Sequence, residues 1–147
     1  MLKHILVPTD GSTLSLRAAK HAIRLAKVHG ARITAFYAVP EYHANIAGDY
    51  LPANFVPFDM FERQVKKTAE KYLDQIKKMA NVGGVACSGW YASNDFPYRA
   101  IIEAAKANKC DLIFMASHGR SGIAGLLIGS ETNKVLTHCK LPVLVYR

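Results

Sequence analysis

A chain of 147 residues, half of them apolar, has the size of one ordinary domain and enough apolar surface for a core that needs neither disulfides nor metal. No apolar run approaches the ~18 residues of a membrane span, and Met1 to Pro8 is too short for a signal peptide, so one cytoplasmic domain over 1–147 is expected. Nineteen Lys and Arg against eleven Asp and Glu give +8 and a pI near 9.5, which suits an anionic partner without choosing among nucleotide, nucleic acid and acidic surface. No basic-and-aromatic recognition motif accompanies the charge, which weighs against nucleic acid. Cys87, Cys110 and Cys139 lie far apart without a Cys-x-x-Cys pair, so neither a disulfide framework nor a zinc site is expected, and the thiols read as small buried groups.

Apolar runs alternate with helical patterns from end to end. Ile5 to Val7 is a buried-strand run closed by Pro8-Thr9-Asp10-Gly11. Ser12 then makes a good N-cap for a helix whose Leu14, Ala18, Ala22 and Leu25 share a face until Gly30. Arg32 to Val39 reads as the second strand. A long irregular stretch, Pro40 to Pro57, holds three prolines with Tyr42, Tyr50 and Phe55, and fits a ligand lid, a dimer contact or a surface loop. From near Phe58, residues Phe61, Val65, Ala69, Tyr72, Ile76 and Ala80 trace one face of a helix ended by Gly83-Gly84. A third strand is expected over about Val85 to Tyr91, a helix over Phe96 to Asn108, and a fourth strand over Asp111 to Ser117. A last helix starts near Ser130, and Pro142 opens a strand over Val143 to Tyr146. Strands that are apolar on both faces and separated by helices predict an α/β, doubly wound parallel sheet, which binds ligands beyond the carboxyl ends of its strands. The functional loops are then Pro8 to Ser12 and Ser117 to Gly129.

The second loop leaves an apolar strand, passes several glycines and ends in Gly129-Ser130 at a helix start, where free N–H groups and the helix dipole favour phosphate. It is not a Walker A loop, because no Gly-Lys-Ser/Thr follows the strand. His118 is the only obvious general base nearby, and neither a Ser-His-Asp arrangement nor paired carboxylates appear, so the sequence argues for a binding protein before an enzyme.

Three segments together, Ile-Leu-Val-Pro-Thr-Asp-Gly-Ser at the start, Ser-His-Gly-Arg-Ser-Gly in the loop and Gly-Ser-Glu-Thr-Asn-Lys-Val-Leu to the final Pro-Val-Leu-Val-Tyr-Arg, resemble the universal stress protein family in order and spacing over essentially the whole chain. The resemblance implies a Rossmann-like three-layer sandwich of the adenine nucleotide alpha hydrolase type, with strand order 3-2-1-4-5. It implies an ATP-binding or related adenine-nucleotide-binding stress regulator. The alternatives are a dimeric adaptor of the same fold that binds no nucleotide, and a slow ATP hydrolase. The implied site puts Pro8, Thr9 and Asp10 beside the adenosine, with Asp10 accepting a ribose hydroxyl, although Asp10 also fits a role confined to the turn at Gly11. Backbone groups near Ala38 and Val39 would meet the adenine edge. Gly119, Arg120, Gly129, Ser130, Glu131 and Thr132 would line the phosphates, with Arg120 as counter-charge or as a solvated loop residue. Mg²⁺ would be held mainly by the phosphates. ATP-binding members carry Gly-x-x-Gly, nine residues, then Gly-Ser or Gly-Thr, and this chain has Ala116 in place of the first glycine. If that position needs a left-handed backbone, alanine costs about 1–2 kcal/mol; if not, its methyl crowds the ribose. The resemblance also implies a homodimer through Val143 to Tyr146, an edge guarded by charge only at Arg147.

Overall fold

The computed structural model describes residues 1–44, 52–119 and 128–147. Nine elements alternate along them: β1 (His4–Pro8), α1 (Thr13–His29), β2 (Arg32–Val39), α2 (Phe58–Gly83), β3 (Cys87–Ser93), α3 (Pro97–Ala107), β4 (Leu112–Ala116), α4 (Ser130–His138) and β5 (Val143–Tyr146). The strands form one sheet in the order β3-β2-β1-β4-β5. Every neighbouring pair is parallel, with Ile5 opposite both Ile33 and Leu112.

Side chains alternate across the sheet, and both faces are covered, which is why β1 and β4 read as unbroken apolar runs. Ile5, Val7, Ile33, Ala35, Leu112 and Phe114 pack with Ala18, Ala22 and Ala26 of α1 and Leu73 and Ile76 of α2. Leu6, Phe36, Ile113 and Met115 pack on the other face against Ala100, Ile101 and Ala104 of α3 and Val135 of α4. Each fully buried Ile, Leu or Val contributes about 1.5–3 kcal/mol. The long α2 is buried only in its second half, from Ala69 to Ala80; Phe61 and Val65 are half-buried.

The helix ends follow their local chemistry. Ser12 Oγ accepts the Ser15 N–H at 3.2 Å to start α1. Both α1 and α2 stop in Schellman-type closures: Ala31 N–H reaches Ala26 O at 2.8 Å past the left-handed Gly30, and Val85 N–H reaches Ala80 O at 2.9 Å past the left-handed Gly84. This corrects the third strand, expected from Val85. The Val85 backbone closes α2 instead, and β3 begins at Cys87, as an edge strand whose residues are mostly exposed. Helix α3 starts one residue later than expected, because Pro97 takes the first helical position, where its missing N–H costs nothing.

Of the cysteines only Cys110 is buried, and burial, with Asp111 as a lesser cause, pushes its thiol up to about 11; Cys87 and Cys139 are half-buried. Among the described residues no helix is long and apolar enough to cross a membrane.

A candidate nucleotide cavity at the switch point of the sheet

The strand order reverses between β1 and β4, since the crossover from β1 leads to β2 on one side and β4 lies on the other. Such a divide opens a crevice at the carboxyl ends of the strands. A cavity of about 450 Å³ lies there, of the size that takes a small organic ligand. Pro8 at the end of β1 with Thr9 and Asp10 after it, Ala38 on β2, Ala116 at the end of β4 with Gly119 beyond it, and Gly129, Ser130, Glu131 and Thr132 at the start of α4 all line it. Ten of the residues expected at the site therefore share one cavity. Val39 does not line it: it is buried, and its carbonyl accepts the Asn94 N–H at 2.9 Å. Arg120 lies outside the described residues, as does 45–51 of the Pro40 to Pro57 stretch.

The turn after β1 is held by its own side chains. Asp10 Oδ1 accepts the Ser12 N–H at 3.0 Å, so the turn-forming role of Asp10 is present whatever else it does. Ser15 Oγ donates to Ser12 O at 2.9 Å, which leaves the Thr9 hydroxyl as donor in its 3.1 Å contact with Ser15 Oγ, while Thr9 Oγ1 accepts the Gly11 N–H at 3.1 Å. Gly11 has φ +75°, and a methyl there would run into the Tyr72 ring.

The end of β4 answers the question raised by alanine at 116. Ala116 is the last residue of a regular strand, opposite Tyr146 of β5, and the only non-glycine with positive φ among the described residues is Lys109. Alanine is unstrained at this position, and what it adds is a methyl at the cavity wall. Beyond it the chain makes a tight junction. Ser117 N–H donates to Tyr146 O at 2.7 Å, Gly129 N–H donates to Ser117 O at 2.7 Å, and Thr132 Oγ1 donates to Ala116 O at 3.0 Å. Both glycines sit close against neighbouring protein groups. A Cβ on Gly119 would lie 2.5 Å from Asp10 Oδ2, and one on Gly129 would lie 3.1 Å from both Cα and Cβ of His118.

Helix α4 therefore enters the cavity with Gly129 as an N-cap that has no side chain to offer, and the N–H groups of its first turn fall outside the helical ladder. Ser130 adds an exposed hydroxyl. Glu131 behaves differently from the expectation that it faces phosphate. Its Oε2 accepts the Tyr98 N–H in the first turn of α3 at 3.0 Å, and its Oε1 pairs with Lys134 Nζ at 2.7 Å. His118 Nδ1 is 3.1 Å from the Ser117 hydroxyl.

Six lining residues escaped the sequence reading as contacts: Ser15, Tyr37, Pro97, Ile101, Met115 and His118. Ile101 and Met115 carry the periodicity of core residues and also pack in the core, so no signal marked them. Tyr37 sits edge-on to Tyr72, with ring centroids 5.2 Å apart, and links the cavity to α2. Away from the cavity, Glu41, His43 and Asp95 bring potential metal-ligand atoms within 4.8 Å of one another on the surface. There the 2.6 Å contact from His43 Nε2 holds the Asp95 carboxyl below its ordinary range, helped by the Glu41 N–H.

A parallel sheet in the order β3-β2-β1-β4-β5, covered by helices on both faces and with a cavity of about 450 Å³ at its switch point, defines a doubly wound α/β domain. The universal stress protein family model matches residues 1–147, and the chain belongs to that family. The universal stress protein MJ0531 of Methanocaldococcus jannaschii is 34% identical over 151 aligned residues, covering 100% of this chain and 83% of that protein. The solved structure of the hypothetical protein MJ0577 superposes with a TM-score of 0.78 at 26% identity, covering 99% of this chain and 95% of that one. A universal stress protein solved in complex with cAMP superposes with a TM-score of 0.74 at 24% identity, covering 99% and 97% of the two chains.

Proposed function

We propose that this protein is an adenine-nucleotide-binding regulator that acts in stress adaptation through occupancy of this cavity and is not a committed enzyme. The observation that carries the reading is the entry of α4: an N-cap without a side chain, unladdered N–H groups and the Ser130 hydroxyl meet in a 450 Å³ cavity at the switch point. That arrangement suits a phosphoryl group, and the apolar remainder, with Pro8, Ile101 and Met115, suits a base and sugar. The cAMP complex of a protein with this fold supports the same reading. When ATP is the ligand, Mg²⁺ is carried mainly by its phosphates. Calorimetric titration with ATP, ADP, AMP and cyclic AMP tests the proposal. Binding of at least one, weakened by Ser130→Ala, is expected; silence from all four at millimolar concentration leaves the adaptor reading, in which the same fold works through protein contacts.

The second part of the reading is a homodimer through β5. This strand ends the sheet, so among the described residues its outer N–H and C=O groups face no strand of the same chain, and Leu144 on it is 38% exposed. Antiparallel pairing of two copies about a two-fold axis satisfies both edges. Sedimentation at micromolar concentration gives a dimer; a 16.2 kDa species throughout refutes it.

A further inference from the structure

Two helix N-termini, those of α3 and α4, converge on the cavity, and they differ in one respect. The first turn of α4 has no side-chain cap from Gly129, whereas the first turn of α3 already holds an anion of the protein's own: the Glu131 carboxylate, accepting the Tyr98 N–H at 3.0 Å. The carboxylate is fixed from both sides, since its other oxygen is bound by Lys134 Nζ at 2.7 Å. A ligand anion seated on α4 thus has an occupied neighbour where a second N-terminal seat would be. A second carboxylate, Asp10, stands at the opposite loop, fastened by the Ser12 N–H and packed against Gly119. A string of phosphoryl groups that runs from α4 towards α3 therefore meets the fixed Glu131 carboxylate.

We infer that Glu131 makes this cavity select adenylates with a single phosphoryl group over the di- and triphosphates. The inference rests on the reading of the cavity as an adenine-nucleotide site. AMP carries about two negative charges near neutral pH and ATP about four, so the discrimination is electrostatic and weakens with salt. Glu131→Gln is the informative change, because its amide oxygen still accepts the Tyr98 N–H while the charge is gone. Lys134→Gln should act in the opposite sense, by unmasking that charge.

Calorimetry in magnesium-free buffer at low ionic strength, with AMP, cyclic AMP, ADP and ATP on the wild type and both variants, tests this. The wild type should bind AMP about tenfold more tightly than ATP. Glu131→Gln should shrink that ratio to about threefold or less, Lys134→Gln should widen it, and half-molar salt should shrink it in the wild type. An ATP affinity equal to or above that of AMP in the wild type overturns the selectivity and leaves the nucleotide reading standing. A ratio unmoved by Glu131→Gln overturns the assignment to Glu131. If none of the four binds, the nucleotide reading itself falls and the inference falls with it.

Discussion

Replacing Gly129 by alanine and then by valine separates two reasons for a glycine at the mouth of the proposed phosphate site. Its φ and ψ are −71° and 159°, extended values that any residue adopts, so no conformational strain distinguishes the two variants. What resists a side chain is contact. A Cβ would stand 3.1 Å from His118 Cα and Cβ and 3.2 Å from Ser117 O. The backbone there cannot retreat without lengthening the 2.7 Å bond from Gly129 N–H to Ser117 O, which is worth about 0.5–1.5 kcal/mol. A single methyl needs a few tenths of an ångström of give and should cost about 1 kcal/mol, whereas the branched side chain adds overpacking of about 1–3 kcal/mol. The strain is most cheaply relieved by swinging the first turn of α4 away from His118, which moves the N–H groups of Ser130, Glu131 and Thr132. The loss should therefore appear in affinity, at about tenfold per 1.4 kcal/mol: a few-fold for alanine and about 30-fold or more for valine. Titration with AMP beside thermal unfolding measures both. Equal losses for the two variants, or undiminished binding by the valine variant, would refute the contact argument.

Other consequences follow from the same structure. His4 is buried, with Nε2 bonded to Thr34 Oγ1 at 2.8 Å, and burial, followed by the nearby Arg32 charge, lowers its pKa from 6.5. A histidine depressed in the folded state contributes stability above its unfolded pKa that is lost as pH falls below about 6.5. Urea midpoints should thus drop between pH 7.5 and 5.5 by more in the wild type than in His4→Gln, the other five histidines being common to both; equal drops would remove His4 as the cause. Gly11→Ala combines φ +75° with overlap on the buried Tyr72 ring and should destabilise by about 2–4 kcal/mol in chemical unfolding. Lys109, left-handed at φ 53° after α3, should accept glycine with a gain of about 0.5–1 kcal/mol, read as a raised unfolding midpoint; a lowered midpoint would count against strain there.

The architecture was legible because every strand but one is buried on both faces or capped by recognisable punctuation. Ile5 to Val7 and Leu112 to Met115 could only be central strands, and Ser12, Gly30 and Gly84 mark helix ends by their chemistry. The order 3-2-1-4-5 came from the resemblance, since alternation alone does not say on which side of β1 each later strand lies. The exception, β3, misled because the Val85 side chain is buried in the core while its backbone closes α2 ahead of the strand. The turn and cap residues that line the cavity stood out in the sequence because their types are unusual for core positions. Val39 does not line the cavity, and a strand's sequence does not say which of its last carbonyls the neighbouring loop will take. Glu131 was read as a phosphate neighbour because nothing local reveals that α3 arrives within 3.0 Å of it.

The polar residues that line the cavity share a feature that bears on how the site works. Thr9, Asp10, Glu131 and Thr132 look in sequence like groups offered to a ligand, yet each binds protein: Gly11 and Ser15, Ser12, Tyr98 and Lys134, and Ala116 respectively. A polar side chain tied in this way fixes the loop, and under the proposed reading the ligand relies mainly on backbone N–H groups, the Ser130 hydroxyl and shape. Backbone donors are indifferent to side-chain identity but sensitive to position, because a hydrogen bond weakens steeply with misalignment. The cavity should accordingly tolerate exchanges that preserve the tie, such as Thr132→Ser, which keeps the hydroxyl on Ala116 O, and fail with Thr132→Val, which keeps the volume and leaves that buried carbonyl without the hydroxyl. If Thr132 instead contacted phosphate through its hydroxyl, the valine variant would lose affinity and keep its stability. Acting as a tie, it loses both, with about 1–3 kcal/mol missing from unfolding in the absence of any ligand.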